Sequence, residues 1–173
     1  HGIYIADGYA AKLEYPLDQD SIAHAADRFR ALYENLMAGT NTKVYLSVIP
    51  DKNYFLADAN GYPALDYSAL TDALRAQPEF AAYIDLFGTL SIDNYYRTDS
   101  HWRQDKIEDT AQELADGLGV TLTEDRTAVS SSLPFYGVYY GQAALRLEAD
   151  SITYLTSPAI EKMTAFDGQN SKE

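Results

Sequence analysis

Lys43-Val44-Tyr45-Leu46-Ser47-Val48-Ile49-Pro50 is the stretch on which the reading of this chain turns. It is β-branched, aromatic and almost continuously apolar, and a proline stops it. That pattern suits a strand covered on both faces, as parallel strands are when their crossovers pack above and below the sheet. Before it the period is helical. Ile22, Ala26, Phe29, Leu32, Tyr33 and Leu36 recur at steps of three and four, which predicts a helix over about 20–38 with one apolar stripe. Asp18 or Asp20 suits its start and Gly39 its end. After it, Asp66 precedes a second helical period over about 67–75, with Leu70 and Leu74 inside and Pro78 closing the region. Residues 82–86 read as another strand. Ile107, Ala111, Leu114 and Leu118 then predict a helix over 106–118, ended by Gly117 and Gly119. This alternation argues an α/β fold, a three-layer sandwich with a mainly parallel central sheet.

The flanks are read more coarsely. Gly2-Ile3-Tyr4-Ile5 is a strand candidate followed by a turn at Asp7-Gly8, so residues 1–17 form an N-terminal arm or strand. Residues 18–120 form the core. Thr, Ser, Gly and Tyr dominate 121–173, which reads as an irregular extension carrying one strand near 149–155. His1 in place of Met, and a polar end from Asp167 to Glu173, give the expectation of a single domain whose sequence continues outside these 173 residues.

A net charge of −13 opposes binding to nucleic acid or to anionic membrane surfaces, and no basic cluster offsets it. No apolar run reaches the length of a membrane span, so direct membrane insertion is not expected. With no cysteine in the chain, thiol catalysis, disulfides and thiolate metal sites are excluded.

Of three histidines, His1 is terminal and His24 falls on the polar side of the first helix. His101 lies in Tyr95-Tyr96-Arg97-Thr98-Asp99-Ser100-His101-Trp102, between an extended segment and a helix, beside an acid and the only tryptophan. A general base must titrate near neutral pH and needs a partner that fixes its tautomer. In an extended segment residues i and i+2 share a side. Asp99 can then bond one ring nitrogen of His101 and leave the other free, while Ser100 points away and Trp102 packs the base in place. The same spacing also suits a half-buried histidine beside a helix-capping aspartate. A metal reading of His101, Asp105 and Asp109 has a single histidine, and the two aspartates equally suit the acidic start of a helix; no metal and no cofactor is expected.

The string Thr98-Asp99-Ser100-His101-Trp102, with its leading tyrosines, resembles the signature of the DHHW family. It is also similar to the Asp-x-His-Trp motif of alginate O-acetyltransferase-type proteins; both look like variants of the SGNH hydrolase fold. Val48-Ile49-Pro50-Asp51-Lys52 resembles that group's strand ending in a proline-and-lysine turn, and residues 83–86 with Leu90 resemble the strand leading into the motif. Two departures stand out. Ser100 occupies the first histidine position, and Arg103-Gln104-Asp105-Lys106 lacks the usual small residue and glycine. The resemblance implies that Asp99 orients the base, that His101 is the base, and that a serine nucleophile comes later in the chain.

No such serine is evident. Ser130, Ser131 and Ser132 are the in-chain candidates, but no strand-turn-helix elbow surrounds them and they read as loop. The nucleophile is therefore unassigned and expected beyond Glu173. Lys52, at the carboxyl end of a strand, lies where open α/β sheets bind ligands, or is a solvated loop lysine. Fifteen tyrosines against six phenylalanines supply flat faces with polar tips that suit sugar rings, or the rims of the core. Tyr95, Tyr96, Arg97 and Trp102 are the expected substrate contacts, with Tyr136, Tyr139 and Tyr140 as further candidates. The resemblance implies an extracytoplasmic, cell-envelope protein that transfers or removes O-acetyl groups on a glycan or polysaccharide, with the acyl donor unassigned. The competing reading is a non-catalytic carbohydrate-binding or envelope-assembly protein of the same fold.

Overall fold

The computed structural model describes residues 2–76, 79–122, 125–144, 146–166, 168 and 171–172. The readings placed on His1, Pro78, Asp167, Gln169, Asn170 and Glu173 lie outside the described residues. Ile3–Ala6 (β1) and Tyr9–Lys12 (β2) pair antiparallel. Asp7 and Gly8 join them with φ of 50° and 81°, the two left-handed residues that a tight hairpin turn requires. The N-terminal stretch is thus more than an arm. Ala10 and Ala11 are fully buried, and Tyr4, Ala6 and Ala11 cluster with Leu56 in the core.

Gln19–Leu36 (α1) starts where expected, the Asp18 carboxylate accepting the Ser21 N–H at 3.0 Å. Val44–Leu46 (β3) runs into a turn and the short helix Lys52–Leu56 (α2). Tyr67–Ala76 (α3) then crosses over to Ala81–Tyr83 (β4), which pairs parallel with β3 from Val44↔Ala81 to Leu46↔Tyr83. This βαβ unit is what the sequence led us to expect, but shortened. Ser47 to Ile49 leave the ladder, and Ile49 is exposed. The face of α1 is likewise half-covered: Ala26 is buried, whereas Leu36 reaches solvent, as do Phe29 and Leu32 beside a cavity of about 150 Å³ between α1, β3, β4 and α3.

After single-turn helices at Phe87–Thr89 and Ile92–Asn94 come the Tyr95–Trp102 loop, another turn at Gln104–Lys106, and Glu108–Leu118 (α4). The last closes on Gly119 at φ 69°. Beyond it the expectation of an irregular extension is corrected. Thr127–Phe135 (β5) and Asp150–Thr156 (β6) form a long antiparallel ribbon, with Val138–Ala143 (α5) between them. Ala165–Phe166 (β7) and Ser171–Lys172 (β8) add a small hairpin.

The fold is mixed α/β. Among the described residues the strands form four separate pairs, of which β3–β4 alone is parallel. A mainly parallel central sheet is therefore not what these residues display. An apolar strand is enclosed only when neighbours flank it and helices cover it, and β3 has one neighbour here.

Candidate active site

The segment containing Asp99 and His101 is a loop pinched at its base rather than an extended strand. The Arg103 N–H donates to the Asn94 carbonyl at 2.7 Å, Tyr95 bridges Trp102, and the Tyr96 N–H donates to the His101 carbonyl at 3.2 Å. Arg97 to Ser100 are left to turn. Within that turn Asp99 makes an Asx-type bond, its Oδ1 accepting the His101 backbone N–H at 2.9 Å. The same oxygen lies 2.6 Å from Nδ1 of the His101 ring. The two side chains meet because the loop folds back on itself.

Asp99 is buried, and His101 holds its ring mostly in solvent, with 6 % and 76 % of the side chains exposed. Burial pushes the Asp99 carboxyl up. The Val138 N–H on Oδ2 at 2.9 Å, the His101 N–H and the ring more than reverse this, so it stays ionised below its usual range. An ionised Asp99 facing Nδ1 selects the tautomer with the proton on Nδ1 and leaves Nε2 as the free base. Ser100 Oγ, 3.4 Å from Nδ1, is on the occupied nitrogen and not at Nε2.

Lys52 is placed differently from the expected ligand contact. It is 2 % exposed, and its ammonium donates to the carbonyls of Tyr96 at 2.9 Å and Arg97 at 3.2 Å, under the Tyr139 ring at 5.0 Å. Burial lowers its pKa to about 8, against the pull of Asp150, Asp99 and Asp51. The amine that a strand-end position would offer to a substrate is occupied inside the protein. Tyr95 and Tyr96 are buried too: the Tyr95 hydroxyl donates to the Pro50 carbonyl, and Tyr96 packs edge-on against Phe135 at 5.1 Å. Trp102 is half-buried. Arg97 remains half-exposed on a polar cleft of about 410 Å³ shared with Tyr9, Arg103 and Lys106. Tyr136 and Tyr140 pack on each other at 4.6 Å, with Tyr136 half-exposed.

The three serines are not in a loop. All lie on β5, where Ser130 Oγ meets Thr153 Oγ1 at 2.8 Å and Ser131 Oγ accepts the Leu133 N–H at 3.2 Å. Neither bond leads to His101. Asp105 is held by the Arg103 guanidinium at 3.2 and 2.8 Å.

Two residues at the site, Asp150 and Gly137, were not singled out in the sequence, and both act through Thr98 of the motif. Asp150 accepts the N–H groups of Arg97 and Thr98 at 2.9 and 2.8 Å and the Thr98 hydroxyl at 2.6 Å. Thr98 Oγ1 in turn accepts the Gly137 N–H at 2.9 Å. Gly137 passes so close that a Cβ there would stand 2.3 Å from the Asp99 Cβ. The only signal in the sequence was a glycine amid tyrosines and an acid at the start of a strand.

Solved structures that share this architecture include the following three. One is a DHHW family protein from Eubacterium siraeum, with TM-score 0.71, 18 % identity, and coverage of 90 % of this chain and 54 % of that one. The fold is that of the DHHW and AlgJ-type proteins. For the O-acetyltransferase domain of Pseudomonas putida AlgJ the TM-score is 0.63 at 15 % identity, covering 90 % of this chain and 64 % of that one. For Bacillus cereus PatB1 it is 0.59 at 15 % identity, covering 91 % and 59 %. This chain therefore spans between about half and two-thirds of the solved chains it matches. No family model and no curated protein matches its sequence. No described helix is long and apolar enough to cross a membrane.

Proposed function

We propose that Asp99 and His101 form the acid–base part of an acyl-transfer site that moves or removes O-acetyl groups on a glycan, in an extracytoplasmic protein of the cell envelope. The observation that carries this reading is the 2.6 Å contact between buried Asp99 and Nδ1 of a ring that is otherwise open to solvent. The likeness in fold to an O-acetyltransferase domain supports the reaction class.

In the reaction, Nε2 of His101 takes the proton of a serine hydroxyl as the serine oxygen bonds to the acyl carbon. The imidazolium formed is stabilised by Asp99 and returns its proton to the departing alcohol oxygen, which leaves an acyl-serine. A second alcohol or water then reverses these steps. Ser130 and Ser131 make cross-strand and turn contacts and Ser132 lies with them on β5, so the serine is assigned to sequence outside these 173 residues, as part of one SGNH-type domain whose parallel sheet includes β3 and β4. Arg97, Trp102 and Tyr136 are the proposed glycan contacts; Tyr95, Tyr96 and Lys52 act from inside.

The test is turnover of acetylated model esters by the full-length natural protein, with mass spectrometry of the enzyme quenched during reaction. The expected result is acetate release with one serine carrying an extra acetyl group. Glycan binding with neither release nor transfer of acetate would favour the non-catalytic reading.

A further inference from the structure

The loop that carries Asp99 has an unusual distribution of backbone partners. The carbonyls of Tyr96 and Arg97 both face the buried Lys52 ammonium, at 2.9 and 3.2 Å. The N–H groups of Arg97 and Thr98 both face the Asp150 carboxylate, at 2.9 and 2.8 Å. Two opposite charges thus grip consecutive peptide groups just before Asp99, one through acceptors and the other through donors. Hydrogen bonds to ionised groups are about twice as strong as neutral ones and fix geometry more tightly.

Asp150 also reaches the pair by a second route. It pairs with Phe135 across the β5–β6 ribbon. Two residues beyond Phe135, Gly137 donates to the Thr98 hydroxyl that Asp150 holds, and Val138 donates to Asp99 Oδ2. With Oδ2 committed to Val138, Oδ1 is the oxygen that meets the backbone N–H and ring Nδ1 of His101. One end of the ribbon therefore sets the rotation of the Asp99 carboxylate.

We propose that Asp150 is the positioning residue of the Asp99–His101 pair, holding the loop against Lys52 so that Asp99 Oδ1 stays on Nδ1. This rests on the acid–base reading above for its functional meaning, but the geometry can be tested without any substrate.

The experiment is nitrogen NMR of the chain labelled at histidine, recorded where the rings are neutral. Wild type is expected to show His101 as a single Nδ1–H tautomer. Asp150→Ala is expected to turn this into a mixture of both tautomers while the amide signals of α1, which lies outside this network, stay in place. A single Nδ1–H tautomer that survives in folded Asp150→Ala overturns the proposal. If Asp150→Ala does not fold, Asp150→Asn decides by the same signal, because it removes the charge and leaves one accepting oxygen where two now hold the Arg97 and Thr98 N–H groups and the Thr98 hydroxyl: a mixture supports positioning and a single tautomer overturns it. Failure of the underlying reading looks different. Wild type would then lack the Nδ1–H preference, or Asp99→Asn would leave it unchanged. In the full-length protein, Asp150→Ala is expected to lower kcat for acetyl turnover by about 100-fold with KM held, since a small misplacement of a reacting group has that cost.

Discussion

Oδ1 of Asp99 accepts from both nitrogens that His101 turns toward it, the backbone N–H at 2.9 Å and ring Nδ1 at 2.6 Å. The backbone bond fixes where the ring begins and the ring bond fixes which nitrogen carries the proton. Asp99→Asn cannot reproduce this, because a carboxamide has one oxygen and must point its NH2 either at the Val138 N–H or at His101. The loss is expected to be about 2 kcal/mol of stability at pH 7. Asp99 has a lowered folded pKa, so its contribution is present above the carboxylate range and disappears as pH falls through the folded value. Urea unfolding as a function of pH should show wild type and Asp99→Asn converging below about pH 4. Curves that remain parallel to lower pH would show that the ionised form gives no advantage.

Gly137→Ala tests the close approach behind the pair. The glycine has φ −78° and ψ −179°, which any residue can adopt, so the effect is contact and not backbone strain. A methyl 2.3 Å from the Asp99 Cβ and 2.6 Å from its Cα must push the loop away. Overpacking of this kind costs about 1–3 kcal/mol, and the His101 ring signals are expected to move with it. Unchanged stability and unchanged ring signals would mean that the loop yields freely.

Lys52 gives the opposite pH signature. Its folded pKa of about 8 lies below its ordinary value of 10.5. Between these the unfolded chain holds more protons, so stability from this group rises with pH across roughly 8 to 10.5; below that window both states are charged and the burial penalty is felt in full. Wild type is expected to gain on Lys52→Met across the window by on the order of 3 kcal/mol. Measuring both proteins cancels the ionisation of the buried tyrosines. A constant difference would place the ammonium in water.

Ser130→Ala, Ser131→Ala and Ser132→Ala are each expected to stay within about 0.5 kcal/mol of wild type. None is expected to change acetyl-ester turnover by the full-length protein. Loss of turnover in any one of them would move the nucleophile into this chain.

Much of this was legible locally. The stripe Ile22 to Leu36, the Asp18 cap, the Asp7–Gly8 turn and the Leu70 and Leu74 face each depend on neighbours a few positions away, and α1, α3 and α4 formed where the period placed them. The Asp99–His101 contact was legible because the two are only two positions apart, though an Asx turn produces it in place of strand alternation. What escaped was set at a distance. Asp150 lies 52 or 53 positions from the groups it holds, and Gly137 and Val138 lie 39 from theirs. A lysine is ordinarily exposed, so only the two converging carbonyls reveal why Lys52 is inside. Ser130 to Ser132 read as loop from composition, but the pairing of Ser130 with Thr153 and of Pro134 with Ser151 draws the whole stretch into β5, with an irregularity between those two pairs. The apolar run at residues 43–49 promised a wider parallel sheet, but the number of strands beside β3 depends on sequence far from it.

The central claim is that His101 is the base, and replacing it tests this most directly. The ring is largely in solvent, so His101→Ala should leave the melting temperature of the full-length natural protein nearly unchanged. Its kcat for acetyl transfer or acetyl-ester hydrolysis should fall by about 10³-fold or more. Turnover equal to wild type in a folded His101→Ala protein would contradict the account.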